Sequence, residues 1–172
     1  NLHRAGKKIV LFVGRITLQK GPDYFLRAAQ RVIEYRPDTI FIIAGSGDME
    51  GQIIRETAES GIADKVLFAG FTRGEELIEL YRAADLYVMP SVSEPFGITA
   101  LESLLNKTPS IVSKQSGVAE VSSNILTVDF WDTEELSNKI IAVLDHVPLS
   151  ECLSEYGYRD ALKATWQRTA DV

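Results

Sequence analysis

Residues 93–102 read SEPFGITALE and set two glutamates, Glu94 and Glu102, eight positions apart around a proline, a phenylalanine and a glycine. Ile98, Leu101 and Leu105 recur at helical spacing, which predicts a helix starting near Gly97, with Glu94 in the loop before it and Glu102 on it. The first backbone N–H groups of such a helix, those of Gly97, Ile98 and Thr99, have no intrahelical acceptor and make a ready anion site. A second polar stretch, GRITLQKG, carries Arg15 and Lys20 in one loop, with Gly14 to let the chain turn. Two cations and a helix N-terminus suit an anion. A carboxylate at either end of that cradle suits a ligand with hydroxyls on both sides of its phosphates.

The elements that must position these residues alternate. Lys8–Val13, Thr39–Ala44, Lys65–Ala69, Leu86–Met89 and Ser110–Val112 are short apolar runs rich in β-branched and aromatic residues, and each reads as a strand covered on both faces. Helical patterns separate them: Pro22–Tyr35 with proline in its first turn, Met49–Ser60 ending before Gly61, and Glu75–Ala84 with Leu77, Leu80 and Tyr81 on one face. A sixth strand, Ile125–Val128, a helix over Thr133–His146 and a closing helix over Ser150–Ala170 follow. Alternation of this kind predicts an α/β fold, a Rossmann-like doubly wound parallel sheet, in which ligands sit beyond the carboxyl ends of the strands. Arg15, Lys20, Glu94 and the GSGDMEG turn at residues 45–51 all fall at those ends.

Composition narrows the function. With 172 residues and 45% hydrophobic content the chain suffices for one domain. The net charge of −6 lacks the cationic excess that nucleic-acid binding requires, so any bound anion is held locally. No stretch approaches the roughly 20 apolar residues of a membrane span, and the single cysteine, Cys152, forms no intrachain disulfide; a cytoplasmic setting is expected. There is no Asp-x-Asp motif, and His3 and His146 belong to no cluster, so no metal site is expected. GSGDMEG is a near miss to a dinucleotide fingerprint, but it follows the second strand, and the next strand ends in AGFT without an acid for a ribose; this disfavours a dehydrogenase. Trp131 and Trp166 read as packing residues.

Taken in order, VGRITLQKG, FIIAGSGDME, KVLFAGF, LYRAADLYVMPSVSEPFGITALESL and SGVAEV resemble the nucleotide-sugar-binding domain of retaining GT-B glycosyltransferases of family 4, the group that includes glycogen synthases and sucrose synthases. The resemblance spans Val13 to about Val121 and weakens towards the C-terminus. It implies the C-terminal half of a GT-B fold, with residues 1–172 as a single donor-binding domain and the N-terminal acceptor domain absent. It implies a nucleoside diphosphate sugar as donor (UDP, GDP or ADP) without further cofactor. The acceptor would be a saccharide or lipid held by the missing domain, which leaves room for peripheral membrane contact there. By position, Arg15 and Lys20 would meet the donor diphosphate, Glu94 the transferred sugar and Glu102 the ribose hydroxyls. Gly97, Ile98 and Thr99 would offer amides to phosphates and sugar, Gly14 would turn the first loop, and Gly70 and Phe71 would lie by the base. The chain departs from the pattern at Ser116, where relatives often have a glycine.

The chemistry fits those residue types. Breaking a sugar–phosphate bond leaves a diphosphate of growing negative charge, stabilised by a metal or by fixed cations and dipoles. Here Arg15, Lys20 and the helix N-terminus serve, and the reading is metal-free. Retention with front-face attack, implied by the resemblance, leaves Glu94 to orient the sugar rather than attack it. Two alternatives stand beside this reading: a noncatalytic nucleotide-binding or regulatory module of the same fold, and, for Phe71, a core position at a strand end.

Overall fold

In the computed structural model the described residues run from 5 to 170, with side chains described as far as 165. His3 and the Trp166 side chain lie outside them. Six parallel strands, β1 (Lys8–Val13), β2 (Thr39–Ala44), β3 (Val66–Gly70), β4 (Leu86–Met89), β5 (Ser110–Ser113) and β6 (Leu126–Val128), form one sheet in the order β3-β2-β1-β4-β5-β6. The order reverses between β1 and β4, so this α/β, Rossmann-like sheet opens a crevice beyond their carboxyl ends.

The strands form because their apolar residues find partners on both faces. Val10 and Phe12 of β1 enter one core, built with Phe25, Leu26 and Val32 of α1 (Pro22–Tyr35), Ile53 of α2 (Glu50–Glu59) and Leu136 and Ile140 of α6 (Thr133–Asp145). Ile9 and Leu11 point the other way, to Tyr81 of α3 (Glu75–Ala83), Leu101 and Leu104 of α4 (Ile98–Leu105), Val118 of the short α5 (Val118–Val121) and Ala161 of α7 (Val147–Ala170). β3 departs from the expected double coverage. It is one of the two edges of the sheet, paired among the described residues with β2 alone, and its alternate residues Leu67 and Ala69 are exposed. The last helix begins at Val147, earlier than Ser150, because Pro148 lies in its first turn, where the missing N–H costs nothing.

α7 packs on α4 and α5 and so backs the helix that bears Glu102. Asp160 of α7 accepts hydrogen bonds from Ser122 Oγ and Asn124 Nδ2, both at 2.9 Å, and fastens the helix to the segment after α5. Burial alone would raise the Asp160 pKa, but these bonds and the Lys163 charge bring it below the ordinary carboxylate value. The group therefore contributes stability that is present above the unfolded aspartate pKa and is lost as pH falls through the lower folded value. Asp160→Ala is expected to cost up to about 1 kcal/mol near neutral pH, with the difference from wild type shrinking as the pH approaches 3, measured by urea midpoints. A pH-independent difference would remove the ionised carboxylate as the cause.

Candidate functional site

Five loops meet at the carboxyl edge of the sheet, and backbone contacts tie them together. The β1–α1 loop joins the β2–α2 loop: Ile16 N donates to Ser46 O at 2.9 Å and Met49 N to Ile16 O at 2.9 Å. Glycine permits the approach, since a Cβ on Gly45 would overlap the Gly14 carbonyl oxygen. Gly45 N in turn donates to Gly70 O at 2.7 Å, which brings in the end of β3. Across the switch point, Val92 N donates to Gln19 O at 2.9 Å and Gln19 Nε2 to Ser93 O at 3.1 Å. The β4–α4 loop meets the β5–α5 loop through Gly117 N to Glu94 O at 3.0 Å. Ser116 is buried and shares a 2.9 Å hydrogen bond with Ser113, so its hydroxyl secures this loop where a glycine was expected.

At the centre of these loops Lys20 and Glu94 pair. Lys20 ends a 3-10 turn over Leu18–Lys20, and its Nζ bonds Glu94 Oε2, with side-chain exposures of 21% and 12%. The other carboxylate oxygen, Oε1, accepts the N–H of Gly97 at 3.1 Å and that of Phe96 at 3.4 Å. Gly97 is the N-cap of α4 and takes the left-handed conformation, φ 93°, and a Cβ there would lie 3.0 Å from the Met89 and Val118 side chains. The helix start expected near Gly97 is therefore correct, but the cradle is not open at every amide: Glu94 itself already occupies the Gly97 N–H. None of the described residues accepts from the Ile98 or Thr99 N–H. The carboxylate thus sits where an anion is favoured by a cation and a helix N-terminus together.

The remaining residues divide into those held and those left open. Arg15 is exposed, and among the described residues no hydrogen bond or ion pair engages its side chain. Gly14 lies on the same loop, with the Lys20 side chain passing about 4.0 Å from its Cα substituent position. Glu102 is half-buried and accepts from Tyr81 Oη at 3.1 Å. Thr99 Oγ1 accepts from Tyr87 Oη at 2.7 Å. Gly70 has φ 69° and turns the chain out of β3. Phe71, at 73% exposure, stands outside the core, against the strand-end alternative. Trp131 is not interior packing either: it is 58% exposed and stacks edge-on to Phe130.

Beside Glu102, a cavity of about 280 Å3 opens between α3 and α4, lined by Gly74, Leu77, Ile78, Tyr81 and Leu105. The two tyrosines are the part of the site that sequence patterns miss. Tyr81 reads as one more apolar member of the α3 face, and nothing in its spacing says where its hydroxyl goes. Among the described residues no group of three His, Cys, Asp or Glu side chains is arranged to hold a metal ion, and no helix is long and apolar enough to cross a membrane.

The family model described as "Glycosyl transferases group 1" matches residues 1–160. An uncharacterised glycosyltransferase of Methanocaldococcus jannaschii is 39% identical over 154 residues, covering 90% of this chain and 38% of that protein, so the chain spans about two-fifths of the length of such curated relatives. Among solved structures, the C-terminal domain of a glycosyl transferase group 1 family protein from Francisella tularensis superposes with a TM-score of 0.83 at 22% identity, over 94% of this chain and 89% of that one. The Anabaena protein HepE, solved in complex with UDP-glucose, has a TM-score of 0.83 at 22% identity, over 94% of this chain and 46% of that one. The chain belongs to the group 1 glycosyl transferases, and its Rossmann-like sheet is that of the C-terminal half of a GT-B fold.

Proposed function

We propose that this chain is the donor-binding domain of a retaining, metal-independent hexosyltransferase that moves a sugar from a nucleoside diphosphate sugar to a hydroxyl of a saccharide or lipid. The observation that carries the reading is the meeting of Lys20, Glu94 and the N-terminus of α4 at the switch point between β1 and β4. Arg15, which has no partner among the described residues, and Lys20 take the diphosphate, together with the Ile98 and Thr99 amides that no described residue accepts from. The phosphate competes with Glu94 for the Lys20 ammonium and the Gly97 N–H, and the displaced carboxylate turns to the sugar hydroxyls. As the anomeric C–O bond breaks, its electron pair passes to the phosphate oxygen, where the two cations and the helix N-terminus stabilise it. The departing phosphate accepts the proton of the acceptor hydroxyl, which attacks the same face, so Glu94 orients rather than attacks.

Glu102 takes the ribose, and Gly70 and Phe71 lie beside the base. UDP, GDP and ADP sugars all fit this scheme; the UDP-glucose held by the Anabaena neighbour favours uridine. No cofactor beyond the donor is required. Phe71, Leu18 at 68% exposure and Trp131 belong to three different loops of the carboxyl edge, and Ile98 at 59% to the first turn of α4. Apolar side chains gathered round a polar crevice suit a face that another protein surface covers, here the N-terminal acceptor half, in a cytoplasmic enzyme whose membrane contact, where the acceptor is a lipid, belongs to that half.

Calorimetric titration of UDP, GDP, ADP and pyrophosphate tests the reading. At least one nucleotide is expected to bind, and Glu102→Ala to weaken it by about 1–1.5 kcal/mol while leaving pyrophosphate nearly unaffected, because the lost partner is a hydroxyl. Equal losses for nucleotide and pyrophosphate would take the ribose away from Glu102. Absence of binding by all three nucleotides at millimolar concentration would overturn the donor-binding reading and favour the noncatalytic regulatory module.

A further inference from the structure

Glu102 is not held by its own helix. Its carboxylate is fixed from α3, by a tyrosine that is itself almost fully enclosed: Tyr81 is 1% exposed, and its hydroxyl reaches Glu102 Oε2 at 3.1 Å. The ring packs edge-on against Tyr87 at a centroid distance of 5.8 Å and an angle of 69°, and the Tyr81 carbonyl accepts from Thr108 Oγ1 at 2.6 Å. Among the described residues the phenol has one acceptor, Glu102. Burial, with the charge of Glu102 beside it, drives the Tyr81 pKa far above its ordinary value, so the hydroxyl remains a donor throughout the accessible pH range.

We infer that Tyr81 is a positioning residue which, by occupying Glu102 Oε2, aims the remaining lone pairs of that carboxylate at a vicinal diol and thereby makes the site select ribonucleoside over deoxyribonucleoside diphosphates. The inference rests on the reading of Glu102 as the ribose partner. A glutamate on an open helix face samples several rotamers, and each hydrogen bond it makes to a ligand must then offset the cost of fixing them. The Tyr81 hydroxyl meets that cost in the unliganded protein. The gain falls on the ribose hydroxyls alone, since Tyr81 touches neither Lys20 nor the first amides of α4. A merely structural role for the hydroxyl, satisfying a buried polar group, would change stability and lower all ligands alike.

The experiment compares UDP, 2′-deoxy-UDP and inorganic pyrophosphate by calorimetry on the wild-type chain, Glu102→Ala and Tyr81→Phe. The wild type is expected to prefer UDP to its deoxy counterpart by about tenfold, the equivalent of about 1.4 kcal/mol. Glu102→Ala brings that ratio to about one, and Tyr81→Phe to about two or three, with pyrophosphate affinity within about twofold of wild type in both. Tyr81→Phe removes one oxygen and keeps the ring in the core, and retained pyrophosphate binding reports that the variant is folded. Loss of the preference in Glu102→Ala but not in Tyr81→Phe would overturn the positioning role while leaving the ribose reading intact. An unchanged preference in Glu102→Ala would overturn the ribose reading, and the role of Tyr81 with it.

Discussion

Lys20→Ala will weaken nucleoside diphosphate binding by about 1.5–3 kcal/mol, the scale of a hydrogen bond to a charged group, and will weaken pyrophosphate by a similar factor. The equality follows from place. Lys20 stands on the β1–α1 loop opposite the N-terminus of α4, where only phosphate is proposed to lie, and it has no contact with the ribose end at Glu102. Two effects add. The ammonium is lost, and Glu94, now without its cation, keeps its hold on the Gly97 and Phe96 amides and repels an incoming anion. The double variant Lys20→Ala with Glu94→Gln separates these effects, because it removes the repulsion while leaving the cation absent, and it is expected to recover part of the affinity. Calorimetry on a folded Lys20→Ala chain that found unchanged affinity for both ligands would remove Lys20 from the site.

How far these positions were legible in the sequence depends on how local their causes are. The bounds of β1, β2, β4 and α1 follow from apolar runs and from Pro22, all local signals, and the structure agrees. The start of α4 at Gly97 is legible for the same reason. The 3-10 turn that delivers Lys20 and the four-residue α5 are too short for any periodicity to register. Exposure of one face of β3 is a property of strand order, which no strand's own residues state. The largest miss is chemical. The first amides of a helix have no intrahelical partner, but whether a side chain already takes them depends on its rotamer, and Glu94 lies three residues before Gly97, close enough to cap it. Spacing brings Glu94 to that helix end and says nothing of which oxygen meets Lys20. Tyr81 and Tyr87 go unread because burial predicts where an aromatic ring sits and leaves the hydroxyl at its tip unassigned.

Binding and transfer will come apart in the 172-residue chain. The residues proposed to hold the donor, Arg15, Lys20, the open amides of Ile98 and Thr99, and Glu102, all sit on one sheet edge whose loops are tied to one another by backbone hydrogen bonds. That edge exists in this domain by itself, so a nucleoside diphosphate is expected to bind. Transfer asks for more. In the proposed retaining reaction the acceptor hydroxyl lies against the anomeric carbon, on the face the phosphate leaves, and water is kept from the same position. Orientation of this kind lowers a barrier by roughly 7–11 kcal/mol, and no group on the described edge is proposed to hold an acceptor. The chain covers 38% of a curated relative's length, and the remainder of such a protein has room for the surface that would close over Phe71, Leu18 and Trp131. Calorimetry is therefore expected to report nucleotide binding, and a radiolabelled-donor assay with saccharide and lipid acceptors to report none of the transfer. Efficient turnover by the purified chain would mean that the acceptor is held on this same edge, and the polar cleft between the β4–α4 and β5–α5 loops, lined by Glu94, Lys114, Gln115 and Glu120, would be the place to look for it.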